Sequence, residues 1–205
     1  MLSTSTAIIQ RILSLSDDRR ASVAYFYFDF RDEKKKHRHH LLTSLLVQFA
    51  AQSIPCSDML SSVYKAHGNG NRPPGDEVLM KCLMDMLSDS IQYPMYIVLD
   101  AVDESPDFSG VRSSRAQVLS LIQDIVQLCL PKLRICITSR PEADIRDCLE
   151  PLTSHCISLH DEAGHKEDIA KYISSEVAFI AHKKRWRNGD KELVIKTLSE
   201  KADGM

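Results

Sequence analysis

What this chain has little of narrows the field before any motif does. It has no surplus of charge: 26 basic and 28 acidic residues leave a formal net charge of −2 at pH 7. No global field therefore steers it toward nucleic acid or an anionic surface. It has no run of ~18 apolar residues that would cross a bilayer. Its first residues, MLSTSTAIIQRILSLSDD, lack the basic lead and continuous apolar core of a secretory leader, which leaves a cytoplasmic location as the expectation. The six cysteines, Cys56, Cys82, Cys129, Cys136, Cys148 and Cys156, include no CxxC pair. An irregular set of this kind reads as reduced interior thiols rather than a zinc site or a disulfide framework. Glycine is scarce, with seven residues in 205, so a loop that depends on glycine has few places to be.

What is present is a steady alternation of helix and strand patterns. Ile8, Ile9, Ile12 and Leu13 recur at helical spacing and predict an amphipathic helix over 4–15. ASVAYFYFDF, rich in aromatic residues, predicts a buried strand ending near Asp29. A charged loop, RDEKKKHRHH, precedes a second helix carried by Leu41, Leu42, Leu45, Leu46, Phe49 and Ala50. The glycines and prolines of HGNGNRPPGDE then break the period. Val78, Leu79, Cys82, Leu83, Met86, Leu87 and Ile91 mark a third helix, and YPMYIVLD a second strand. Val118, Leu121, Ile122, Ile125 and Val126 mark a fourth helix, LRICITSR a third strand and HCISLH a short fourth one. Such alternation is the mark of a parallel sheet covered on both faces. Beyond His160 only helical patterns remain, one through Ile169, Tyr172, Ile173, Val177 and Ile180, another through Leu193, Val194, Thr197, Leu198 and Ala202. The expected organisation is an α/β core over 1–160 and a small helical appendage over 161–205.

Two strand ends carry the chemistry. YIVLDAVDES runs from a buried strand into Asp100, Asp103 and Glu104. Ligands of open parallel sheets bind beyond the carboxyl ends of the strands, and magnesium takes oxygen ligands while keeping several waters. Asp100 is thus placed to hold a magnesium ion that carries a nucleotide, and Asp103 or Glu104 to polarise a water for attack on the terminal phosphate. The plainer alternative is a solvated acidic turn or a helix cap. ICITSRPE ends a second buried strand in Thr138, Ser139 and Arg140, which brings a guanidinium to the same edge, where it can meet a phosphate bidentately. The plainer alternative there is an ion pair with Glu142 or a cap on a neighbouring helix.

Taken in order, ASVAYFYFDFRD, YIVLDAVDES, ICITSRPEADI, DIAKYI and KADGM closely resemble the NACHT domain, in the form common in fungal signal-transduction NTPases of the STAND class and similar to the nephrocystin-3-like N-terminal domain. The resemblance runs over nearly the whole chain. It implies a P-loop NTPase-like parallel sheet flanked by helices, with residues from about 161 leading toward a lid. Asp100 matches the Walker B aspartate that holds magnesium, and Ala101 the small residue after it. Asp103 and Glu104 match the acidic pair linked to water activation. Arg140, with Ser139 beside it, matches the sensor 1 position that reads the terminal phosphate. The implied cofactor is Mg2+ with ATP or GTP, and the implied partners are the nucleotide and appended effector and repeat domains, with no role for nucleic acid or membrane.

One part of that pattern is not in the sequence. The family's phosphate loop has the form GxxxxGK[ST], in which backbone amides surround the phosphates and a lysine meets their charge. Only Gly70 and Gly75 have the right separation, in GNRPPGDE, where Pro73 and Pro74 lack amide donors and Asp76 and Glu77 replace the lysine and hydroxyl. The resemblance puts Met1 almost immediately after the expected loop, so the first strand and its loop are expected just upstream. The chain reads as a truncated form with weak or absent nucleotide binding. The runner-up is a catalytically silent interaction module that keeps the fold. In the family's sheet the missing strand sits between Leu133–Ser139 and the short strand at His155–Leu159, so both are expected to keep unpaired edges unless they close up on each other.

Two further features read as structural. The run Lys34, Lys35, Lys36, His37, Arg38, His39 and His40 has no aromatic interleaving and reads as a solvated loop leading a helix. Trp186, the single tryptophan, reads as packing within the helical appendage. No Ser/His/Asp or Cys/His set is arranged for nucleophilic catalysis.

Overall fold

The computed structural model describes residues 4–17, 21–32, 37–89, 93–107, 113–158, 163–184 and 186–201. The three strongest β patterns become β1 (Ser22–Tyr27), β2 (Met95–Asp100) and β3 (Leu133–Ile137). They form one parallel sheet of order β1-β2-β3. Ser22 pairs with Met95 and Tyr27 with Asp100; Met95 pairs with Leu133 and Leu99 with Ile137. This register brings the carboxyl ends of all three strands to one edge, where the site lies.

Because side chains alternate across a strand, the sheet has two different faces. Ala24, Phe26, Met95, Ile97 and Leu99 face a large core, with Leu133, Ile135 and Ile137 at its margin. That core is closed by α2 (Arg38–Gln52), α3 (Ile54–Ala66), α4 (Asp76–Asp89), α5 (Ser114–Gln127) and α6 (Ala143–Leu149). Val23 and Val98, flanked by Tyr25, Tyr27, Tyr96 and Cys136, face the other way and meet Ile9 and Ile12 of α1 (Thr4–Asp17). All six cysteines are free, with Cys56 and Cys82 buried.

The chain divides into two compact units, Met1–Thr153 and Ser154–Met205. The second is a hairpin of α7 (Ala163–Lys184) and α8 (Asn188–Lys201) around Ile173 and Val177. Trp186 packs on that small core with Val194 and Ile195, as its sequence context suggests. No helix among the described residues is long and apolar enough to cross a membrane.

Three differences from the sequence expectation have physical causes. The short fourth strand at His155–His160 does not form at 155–158, which are exposed and carry no ladder; a strand exists only where its backbone groups find a neighbour. Helix α3 starts directly after α2, with Pro55 in its first turn, where the missing amide costs nothing. Helix α6 is only seven residues long, too short to show a period. Of the residues singled out above, Lys34–Lys36, Ile91, His160 and Ala202 lie outside the described set.

Candidate functional site

The acidic turn is stitched to the end of β3 by a set of hydrogen bonds through Thr138. The Thr138 amide donates to the Leu99 carbonyl at 2.9 Å, and the Val102 amide donates to the Thr138 carbonyl at 3.0 Å. Between these two bonds lie Asp100 and Ala101. The Thr138 hydroxyl accepts from the Ala101 amide at 3.0 Å and donates to Asp100 Oδ1 at 2.5 Å. Ala101 itself is left-handed, at φ 56 and ψ 50. A residue with a Cβ is held there at a cost of roughly 1–2 kcal/mol, which the surrounding bonds offset. Val102 is then fully buried and anchors the one-turn 3-10 helix Val102–Glu104 in the core.

Asp103 and Arg140 meet directly. The Arg140 amide donates to Asp103 Oδ1 at 3.0 Å, and Arg140 Nε lies 3.5 Å from Asp103 Oδ2. The Asp103 side chain is 9% exposed and that of Arg140 is 78% exposed. Arg140 therefore bonds to Asp103 rather than to Glu142, whose amide instead donates to the Arg140 carbonyl at 2.8 Å. Ser139 is exposed beside it. Glu104 Oε2 accepts from the Phe30 amide at 3.3 Å, tying the turn to the chain leaving β1. There Asp29 holds Arg31 at 3.0 Å, and this hydrogen bond, with its charge, raises the Arg31 pKa above its ordinary value.

Arg115, from the first turn of α5, supports the turn from below. Its guanidinium donates to the carbonyls of Asp103 at 2.6 Å and Ser105 at 3.0 Å, and lies 3.4 Å from Asp144 of α6. The helix that carries it is capped by Ser113, whose hydroxyl accepts from the Ala116 amide at 3.1 Å. The histidine run is less solvated than its composition suggests. His37 reaches Ser114 at 3.0 Å and His39 reaches Asp76 at 2.7 Å, joining the start of α2 to the starts of α5 and α4.

The five residues singled out by sequence, Asp100, Asp103, Glu104, Ser139 and Arg140, thus come to one sheet edge. Thr138 and Arg115, which orient them, were not singled out for these roles. A threonine before Ser-Arg at a strand end is a weak signal for the first, and the sequence carries none for the second. Among the described residues no group of three or more His, Cys, Asp or Glu side chains converges on a point. Asp100 is a lone carboxylate with one oxygen already bonded, a donor set that suits a cation whose remaining ligands are water and phosphate.

The family model described as nephrocystin 3, N-terminal, matches residues 3–140. The chain belongs to this family. The nephrocystin 3 N-terminal match takes in the sheet and all five of these residues, ending on Arg140. No curated protein and no solved structure matches the chain.

Proposed function

We propose that this nephrocystin 3 N-terminal chain carries the metal-holding and phosphate-reading part of a NACHT-type nucleotide switch of the STAND class. The observation that supports it is the convergence of Asp100, Asp103 and Arg140 at the carboxyl edge of a parallel sheet. In this reading Asp100, as the Walker B residue, would hold Mg2+, and Arg140 with Ser139 would face the terminal phosphate of ATP or GTP. Asp103 or Glu104 would take the proton from an attacking water. Magnesium supplies charge neutralisation between the phosphates. In a longer form, nucleotide state would bias the packing of the helical unit, and appended effector and repeat domains would respond.

The phosphate cradle does not fit as well as the metal ligand. Residues 70–75, where the only glycine pair of the right separation lies, form the turn between α3 and α4, and Gly70 has φ 87. No GxxxxGK[ST] occurs in the sequence. Binding by this chain's residues alone should therefore be weak. A nuclear magnetic resonance titration with Mn–ATP and Mn–GTP checks the reading. Paramagnetic broadening should centre on the amides of Ala101, Thr138 and Arg140, and Asp100→Asn should remove it. Broadening that survives in Asp100→Asn, or that never reaches this edge, overturns the proposal.

A second reading, a silent interaction module, has its own support. Asp100 is bonded by Thr138 and Asp103 by Arg140 without any ligand, so these residues also hold the fold together. That reading gains if the edge stays sharp at millimolar Mn–nucleotide.

A further inference from the structure

We infer that a groove at the carboxyl end of the β1 edge recognises a carboxamide, that of a glutamine side chain presented by a partner polypeptide. The chain already receives this group twice on the same edge. Gln52 of α2 accepts from the Val23 amide at 2.9 Å and donates to the Val23 carbonyl at 2.7 Å, and Gln48 does the same for Tyr25 at 3.0 and 2.8 Å. The Phe28 amide turns inward to the Asp100 carbonyl, so by the alternation of a parallel strand Tyr27 is the next residue to turn its N–H and C=O outward. One turn before Gln48, the position of α2 that would serve Tyr27 is Ser44. Its side chain is too short for that role, and its hydroxyl accepts from Gln48 Nε2 at 2.9 Å. In place of a third amide, a groove of about 310 Å3 opens between Tyr25, Phe26, Tyr27, Ser44 and Gln48.

The chemistry of the groove selects the occupant. A carboxamide carries a donor and an acceptor side by side, the complement of the outward N–H and C=O of one strand residue. An added β-strand would need Tyr25 as well, and Gln48 already holds that residue. Among the described residues no charged side chain lines the groove, so a carboxylate or an ammonium would lose hydration there without gaining a partner. A glutamine is neutral, and two methylenes separate its carboxamide from its backbone. The head group can therefore reach the strand from a chain lying outside the groove, as those of Gln48 and Gln52 reach it from α2. None of Asp100, Asp103, Glu104, Ser139 and Arg140 lines this groove.

The test uses the whole 205-residue chain, isotope-labelled and titrated with three neutral-capped probes: N-acetyl-glutamine N-methylamide and its glutamate and methionine counterparts. The caps are shared, so any difference comes from the side chain. The glutamine probe should shift the Tyr27 amide and bind at least about five-fold tighter than the other two, the worth of one net hydrogen bond. Ser44→Gln supplies the third amide from within the chain. In that variant Tyr27 amide exchange should slow toward that of Tyr25, and probe binding should be lost. A thermal melt reports its folding, and the wild-type probe comparison decides the matter whether or not the variant folds. Equal binding of the three probes, or shifts that never reach Tyr27, overturns the inference. So does a folded Ser44→Gln chain that binds the glutamine probe as wild type does. Tyr27 exchange as slow as that of Tyr25 in the free wild-type chain also overturns it, since that part of the edge would already be covered.

Discussion

The two edges of the sheet are finished in opposite ways. Beside β1, two glutamines of α2 stand in for a missing strand. Gln48 accepts from the Tyr25 amide at 3.0 Å and donates to the Tyr25 carbonyl at 2.8 Å; Gln52 does the same for Val23 at 2.9 and 2.7 Å. The match is geometric. Four residues of helix rise ~6 Å, and two residues of strand ~6.6 Å, so side-chain amides one turn apart meet every second strand residue. The seal stops at Tyr27, where the preceding turn of α2 offers Ser44 and a groove of about 310 Å3 opens between Tyr25, Phe26, Tyr27, Ser44 and Gln48. Among the described residues of the first unit, no side chain caps the outer edge of β3 in this way. The Met95 amide bonds the Lys132 carbonyl and the Thr138 amide the Leu99 carbonyl. By the alternation of a parallel ladder, Ile135 and Ile137 turn their backbone groups outward. Within the first unit, the described residues thus cap the β1 edge with side-chain amides and leave without such a cap the edge whose last strand carries Thr138 and Arg140.

Removing the glutamine seal should have the largest effect on the sheet. Gln48→Ala with Gln52→Ala deletes the four hydrogen bonds to β1, along with the glutamines' bonds within α2, and leaves part-buried backbone groups of β1 without partners. At about 1 kcal/mol net for each bond, the loss should be roughly 2–4 kcal/mol, read as a lowered urea midpoint with an unchanged slope. A loss below ~0.5 kcal/mol, the range of ordinary surface substitutions, would mean that α2 holds the β1 edge by its leucines alone.

Amide hydrogen exchange distinguishes the two edges without any substitution. Val23 and Tyr25 should exchange slowly, like interior ladder amides. On β3 the protection should alternate: Arg134 and Cys136, which face β2, should be slow, and Ile135 and Ile137 faster by about 100-fold, equivalent to ~2.8 kcal/mol. Uniform protection along β3 would show that its outer edge is covered in solution.

How far these features were legible depends on their range in the chain. Helices α1, α2, α4 and α5 and all three strands declare themselves by local apolar period, because their buried faces repeat within a few residues. Helix α3 does not, since Ile54, Met59, Leu60 and Val63 lie only at the margin of the core or in solvent. HCISLH has a local strand pattern, but a strand also needs a neighbour, which no local pattern supplies. The acids and Arg140 were readable because strand ends are. Their pairing was not, since the Asp103–Arg140 bond, the Thr138–Asp100 bond and the glutamine seal each join residues more than twenty positions apart.

The smallest effect separates the open-edge strand from the closed interior by thiol chemistry. Burial, with the Asp100 charge adding to it, pushes the Cys136 thiol above its ordinary 9.0. Burial, with Asp85 next, does the same for Cys82 on α4. A thiol that keeps its proton longer in the folded chain than in the unfolded one stabilises the fold below pH 9, and that stability is lost as pH rises through the folded value. Since the thiolate is the reacting form, iodoacetamide at pH 8 should modify exposed Cys129 and Cys156 first. Cys136 should follow, and Cys82 later still, because the Cys82 side chain is buried in the core while that of Cys136 is only half-buried against α1. Asp100→Asn, which removes the neighbouring charge, should then hasten Cys136 slightly and leave Cys82 unchanged. An equal change at both would mean that the substitution loosened the whole sheet, and that the edge carrying Thr138 is no more accessible than the core behind it.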